Sequence, residues 1–144
     1  MSTIRSILID PQTRTVTESQ VEPALEPLYA ALGCDMVESL DLGGQIDGIV
    51  DEEGLHKDDQ TFFGFHGRQK IIAGRMLVVG VDGAEWTDLP TRVTVKDILL
   101  VIRWVDPTEA RRAAQDGQFD CIITSPGQPD SRVPFRFPEE TDDR

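Results

Sequence analysis

Histidines and carboxylates between residues 51 and 70 are the side chains most able to support chemistry. His56 and His66 are the only two histidines, and with Asp58 and Asp59 nearby they could act as metal ligands or as a general base. Their spacing of ten residues matches no helical metal-binding motif. The chain also contains no G-x-S-x-G nucleophile motif. We therefore predict no catalytic residue, no metal site and no cofactor.

The acidic run Asp51-Glu52-Glu53-Gly54 could instead belong to a calcium-binding loop. An EF-hand places oxygen ligands at loop positions 1 and 12 and a glycine at position 6. If Gly54 takes position 6, Ile49 falls at position 1 and Gln60 at position 12. Because the pattern fails at both ends, a solvated acidic turn is the better interpretation.

The charge of the chain limits its partners. Its formal net charge is −12, from 26 acidic and 14 basic residues. The segment Asp35–Asp59 contains nine carboxylates but only one lysine, Lys57. Nucleic-acid binding needs the opposite balance, since affinity comes from neutralising phosphates. We predict no direct nucleic-acid binding and a protein partner with a basic surface. The predicted contact residues in this segment are Asp51, Glu52, Glu53, Asp58 and Asp59.

The turn Gly64–Lys70 supports an alternative function, a module that binds a small ligand or nucleotide. Its glycines expose backbone amides beside cations, an arrangement that suits a phosphate or carboxylate. The ligand-binding residues would be His66, Arg68 and Lys70. No complete nucleotide-binding motif is present, and an ordinary hairpin turn with positive-φ glycines explains the same residues.

The N-terminal half predicts a hairpin followed by a helix. Ile4–Ile9 and Thr15–Val21 flank a turn that contains Pro11. A helix over Pro23–Leu32 would end at a left-handed Gly33. Its apolar stripe, which should pack on a sheet, consists of Leu25, Leu28, Tyr29 and Leu32.

More strands are predicted downstream. Met36–Leu42 and Ile46–Val50 flank two glycines and form a second candidate hairpin. Thr61–Phe65 is a further short strand, and Arg75–Val81 has the apolar content of a buried strand.

The segment after Thr94 is ambiguous. Thr94 with Asp97 could cap a helix, yet Leu100–Val105 is equally consistent with a strand. A further helix should start at Asp106-Pro107-Thr108-Glu109, and Phe119–Thr124 is a candidate last strand.

These elements predict one small α+β domain over residues 1–124, with a mixed or antiparallel sheet and two or three helices mainly on one face. Residues 125–144 form an extended, proline-rich acidic tail. Phe135 and Phe137 in that tail either dock on a partner or fold back over the core of this protein.

Five short motifs together resemble the domain of unknown function 3846, a family of small proteins borne largely by phages, plasmids and other mobile elements of bacteria. The resemblance implies a protein of a mobile element. Taken together with the nine carboxylates between Asp35 and Asp59, it leads us to expect an accessory protein that binds a host protein, as an anti-defence factor or DNA-mimicking inhibitor. It implies no catalytic residues. The motifs are I-L-I-D-P (Ile7–Pro11), Y-A-A-L-G-C-D (Tyr29–Asp35), V-D-E-E-G-L (Val50–Leu55), F-F-G-F (Phe62–Phe65) and A-G-R-M-L-V-V-G (Ala73–Gly80).

Compartment and redox state follow from two further features. The longest apolar run, Ile98–Ile102, has five residues, far short of the roughly 18 that suggest a membrane span. Without a signal peptide at the start, we expect a cytoplasmic protein. Cys34 and Cys121 should be unpaired thiols there. The sequence leaves the oligomeric state open.

Overall fold

The computed structural model describes residues 2–53, 60–66 and 71–115, except the side chains of residues 113–115. These residues form an α+β domain, as predicted. The elements in chain order are β1 (Ile4–Asp10), β2 (Thr15–Val21), α1 (Leu25–Leu32), β3 (Val37–Gly43), β4 (Ile46–Asp51), β5 (Phe62–Phe65), β6 (Ile71–Ala73), β7 (Met76–Asp82), β8 (Glu85–Thr87), α2 (Val95–Val101), β9 (Ile102–Val105) and α3 (Pro107–Gln115).

The larger sheet has the strand order β2-β1-β7-β4-β3, with β8 added on β7. Its neighbouring strands are all antiparallel. Both predicted hairpins are confirmed, β1 with β2 and β3 with β4. Gly44 and Gln45 both have positive φ in the turn of the second hairpin, as a tight two-residue turn requires. The short strands β6 and β8 were not predicted.

Strand β7 is central and buried on both sides. Met76 and Val78 join one apolar cluster, whereas Leu77 and Val79 join another. Because successive side chains of a strand point to opposite faces, the two clusters lie on opposite faces of the sheet. This explains why the sequence of β7 is continuously apolar and does not alternate.

Helix α1 covers one face of the sheet. It begins at Leu25, two residues later than predicted, and ends as predicted at Gly33, whose φ is 68°. Leu28 and Leu32 are buried against the sheet, but Leu25 is 53% exposed, so its predicted packing is wrong. Leu25 occupies the first helical position, one turn before the helix meets the sheet.

The opposite face is covered by α2 and by a second sheet with the order β6-β5-β9. The prediction that the helices lie mainly on one face is therefore wrong. Both interpretations of the segment after Thr94 hold in part. Thr94 and Asp97 form a capping box on α2, and the chain then enters β9 directly at Ile102. The apolar run is divided between helix α2 and strand β9, because both elements bury apolar side chains in the same core.

Helix α3 starts as predicted, where the Asp106 carboxylate accepts a 2.8 Å hydrogen bond from the backbone N–H of Glu109. The predicted strand Phe119–Thr124 and the tail 125–144 lie outside the described residues. Within the described ranges, no helix is long and apolar enough to cross a membrane.

Candidate functional site

Strands β3 and β4 hold two carboxylates directly opposite each other. Asp41 and Asp47 are paired across the hairpin, on the face that also carries α1. Burial raises the pKa of Asp47, a 3.3 Å hydrogen bond from Nε1 of Trp86 lowers it, and the charge of Asp41 raises it again. The net result is a raised pKa, mainly because of burial, so the folded state holds the charge of Asp47 at a cost to which Asp41 adds.

A second pair of like charges lies on the other face of the same hairpin. Burial raises the pKa of Glu38, and the neighbouring charge of Glu52 raises it further. The Oε1 atom of Glu38 is buried and accepts no hydrogen bond from any residue that the structure describes. We call the set Glu38, Asp41, Asp47, Glu52 and Glu53 the acidic hairpin. Ion pairs recorded in the described ranges involve Glu18, Asp10 and Glu109 instead.

Removing one of these charges should stabilise the protein. Asp41→Asn is expected to raise the unfolding free energy at pH 7 by about 0.2–1 kcal/mol, since like charges directly opposite each other are destabilising. The raised pKa of Asp47 means that the folded state binds the proton more tightly. Wild-type stability is therefore penalised above that pKa and recovers as the pH falls through it.

The advantage of Asp41→Asn should consequently shrink in acid, because the raised pKa of Asp47 makes this carboxyl take up a proton and lose the charge that repels Asp41. Urea unfolding at pH 7 and at about pH 4 measures both quantities. Asp35→Asn, an exposed aspartate that precedes β3, is the control. A lower stability of Asp41→Asn at pH 7 would refute the repulsion.

The predicted acidic contact residues are placed differently from one another. Asp51 was expected to begin a solvated loop, but it is the last residue of β4 and only 5% exposed. Its Oδ1 accepts a 2.9 Å hydrogen bond from the backbone N–H of Glu53. A partner's flat surface cannot reach it, so this part of the prediction needs correction. Glu52 is half-buried and Glu53 is exposed. Asp58 and Asp59, with Phe135 and Phe137, lie outside the described residues.

The structure differs from the predicted ligand-binding turn Gly64–Lys70 at its first residue. Gly64 is buried in β5, paired with Ile71 and Arg103, and is not part of a turn. The side chain of His66 is exposed, and its backbone N–H donates a 2.8 Å hydrogen bond to the carbonyl oxygen of Val101. Arg68 and Lys70 lie outside the described residues. The other sequence feature with a chemical interest, Cys34, is buried just after α1, while Cys121 is outside the described ranges.

A small polar cleft lies where α1 ends over the sheet. Its volume is about 170 Å³, and five separate segments of the chain contribute to it. We call it the Asp51 cleft. It is lined by Asp10, Gln12, Leu32, Gly33, Asp51, Gln60, Thr61, Gly74 and Arg75.

Arg75 ties the sheet to the end of α1 inside this cleft. Its Nε lies 3.5 Å from Oδ2 of Asp10, and its Nη1 donates a 3.2 Å hydrogen bond to the carbonyl oxygen of Ala31. Helix α1 has no basic residue in its own last turn. Arg75 therefore supplies the positive charge that favours a helix C-terminus.

Apart from Asp51, which was predicted as a partner contact, sequence reasoning did not select the residues of the Asp51 cleft. Four residues of the cleft each belong to a different one of the five short motifs, namely Asp10, Gly33, Asp51 and Arg75. The order of the motifs along the sequence does not give the distances between them in the fold. Only the tertiary structure shows that four of the motifs meet at one cleft. The described residues contain no group of three or more histidine, cysteine or acidic side chains that could hold a metal ion.

Comparison with known proteins gives a family and no activity. Neither a curated protein nor a solved structure matches the chain. A family model matches residues 4–100, a range that includes the acidic hairpin and every residue of the Asp51 cleft. The chain belongs to the family described as domain of unknown function DUF3846.

Proposed function

We propose that this protein binds a host protein with a basic surface in the bacterial cytosol, and that the acidic hairpin is its contact surface. The observation that carries the proposal is the pairing of like charges, Asp41 with Asp47 and Glu38 with Glu52. Cations supplied by a partner would relieve both repulsions at once. Groups whose environment works against their charge are common at functional sites.

The geometry also suggests how the partner approaches. Asp41 and Glu38 differ by an odd number of positions along β3, so their side chains point to opposite faces of the sheet. Strand β3 is the last strand of the larger sheet. Charges on both faces of the edge strand β3 suit a basic partner that contacts both faces of this strand. A flat row of phosphate-like charges, as a DNA mimic needs, is less well matched.

A structural explanation competes with this proposal. Charged side chains on an edge strand discourage pairing between sheets of different molecules. That role needs charge at the edge but no defined partner. Binding experiments with matched variants separate the two explanations.

The proposed test compares two double variants with the same change in net charge. Glu38→Gln with Asp41→Asn removes two of the five charges of the acidic hairpin. Glu22→Gln with Glu26→Gln removes two acids near β2, at the opposite edge of the sheet. We expect proteins captured from a bacterial lysate by the wild type to be lost with the first variant and kept with the second.

Salt provides an independent measurement. The association rate of the captured partner should fall about tenfold or more between low and high ionic strength, since electrostatic steering is screened. A host nuclease or defence protein is the class to examine first, given the mobile-element resemblance. Capture that is equal for both variants and insensitive to salt contradicts the proposal. Tight binding to duplex DNA at physiological salt does so as well.

A further inference from the structure

We propose that residues 133–143 of the predicted tail fold back onto the exposed surface of helix α2. We call this surface the α2 face, and its residues are Lys96, Leu99 and Leu100. Helix α2 packs against β2, which is the strand at the opposite edge of the larger sheet from β3. The α2 face is therefore separate from the acidic hairpin, and either proposal can fail without the other.

Two adjacent leucines make the α2 face apolar. Leu99 is 49% and Leu100 65% exposed, whereas Asp97 and Ile98 on the other side of the helix are buried. Because residues three and four positions apart lie on the same side of a helix, Lys96 and the two leucines form one surface. Exposed apolar surface bordered by polar residues is typical of contact sites.

The charge of this region is opposite in sign to that of the whole chain. Residues 92–112 contain five basic and three acidic residues, in a protein whose net charge is −12. Two of the three acids are already engaged, since Asp97 caps α2 and Glu109 pairs with Arg103. The ion pairs recorded in the described ranges do not include Lys96. An apolar segment followed by acids therefore complements the α2 face.

The tail has this combination of residues. Phe135 and Phe137 are followed by four acids within residues 139–143. The prolines on either side of this pair favour an extended backbone, in which residues two positions apart point to the same side. Both phenylalanine rings would then contact the two leucines, and the acids that follow would lie near Lys96.

The tail is also long enough to reach the α2 face. Leu100 and Gln115, the last residue of α3, are at most about 40 Å apart, because a helix rises about 1.5 Å per residue and other steps cover at most about 3.8 Å. The connecting residues 116–132 can span roughly 55–60 Å. Attachment to the same chain also gives the segment a high effective concentration. This favours the tail over a separate molecule as the occupant of the α2 face.

Cleavage by chymotrypsin after Phe135 in the full-length protein measures whether the tail is docked. Leu99→Ser with Leu100→Ser should accelerate this cleavage about tenfold, because proteolysis follows the population of the undocked form. The matched control, Leu25→Ser with Met36→Ser, replaces two similarly exposed apolar residues elsewhere and should leave the rate unchanged. Circular dichroism checks that both double variants are folded.

A variant of the tail tests the same contact without changing the described domain. Phe135→Ala with Phe137→Ala should shift the amide resonances of Leu99, Leu100 and Val101 in NMR spectra of the ¹⁵N-labelled protein. The amides of the acidic hairpin should not move. Neither the cleavage rate nor the shifts should depend on protein concentration, since the contact lies within one chain.

Three results would overturn the proposal. The first is an equal cleavage rate in the α2 double variant and its control. The second is a spectrum in which the tail variant leaves the amides of α2 unchanged. The third is protection of Phe135 that appears only at high protein concentration, because the occupant of the α2 face would then be a second copy of the chain.

Discussion

Leu28→Asp is expected to cost about 4 kcal/mol or more of unfolding free energy, because it places a carboxylate in an apolar interface without a partner. Leu28 is fully buried between α1 and the sheet, in a cluster with Ile4, Leu32 and Leu77. Typical domains are stable by only about 5–15 kcal/mol. Urea unfolding followed by circular dichroism should show a midpoint far below that of the wild type.

Leu25→Asp on the same helix is the matched control. Leu25 is 53% exposed, so the same change of residue should alter stability by no more than about 0.5 kcal/mol. The sequence pattern assigned both leucines to one buried stripe, and the pair of variants tests that correction directly. Equal destabilisation by the two substitutions would mean that α1 is rotated or shifted relative to the structure described above.

Gly80→Ala is the second substitution with a large expected effect, about 3 kcal/mol of destabilisation from overpacking. A Cβ at Gly80 would overlap the backbone carbonyl oxygen of Asp88 and lie 3.0 Å from its carbonyl carbon. The backbone cannot rotate away as a side chain can. Gly80 is also paired with Ile46 on one side and Thr87 on the other. A shift of β7 would therefore disturb two strand pairings.

The segment that crosses Gly80, residues 88–93, is held in place by hydrogen bonds to Arg5. Arg5 donates hydrogen bonds to the carbonyl oxygens of Leu89 at 3.1 Å, Pro90 at 3.0 Å and Val93 at 2.8 Å. Asp88 accepts one from the Arg5 backbone N–H at 2.7 Å. The crossing segment therefore has little freedom to lift away from an added methyl group.

The melting temperature of Gly80→Ala should fall by about 10 °C for a domain of this size. Gly83→Ala is the control, at a glycine with a φ of 64° and no atom within 4 Å of an added Cβ. It should cost only the strain of a left-handed alanine, about 1 kcal/mol. A smaller loss for Gly80→Ala than for Gly83→Ala would contradict the close crossing.

Local elements could be predicted where neighbouring residues specify them. The hairpin β1–β2, the hairpin β3–β4, the end of α1 at Gly33 and the start of α3 at Pro107 were all recovered. Each depends on turn or capping chemistry within a few residues. Strands β6 and β8 were missed, because three residues carry too little periodicity to indicate a strand.

The candidate sites were harder to predict because they depend on pairing across distance. Counting carboxylates identified the acidic region, but only strand register placed Asp41 opposite Asp47 and turned Glu38 to the other face. The sequence pattern of Asp51, an acid followed by two more acids, suggested solvent. Its burial results from β4 extending one residue further than expected, under the end of α1.

The sequence by itself determined the charge, the α+β class and the short elements, since these follow from composition and from contacts between near neighbours. The tertiary structure decided which faces the helices cover, why Leu25 is exposed while Leu28 is buried, and how four distant motifs meet at the Asp51 cleft. The physical reason is that burial is a property of the assembled sheet. A residue's type limits what it can contact, but the packing of β7 between two layers decides what it does contact.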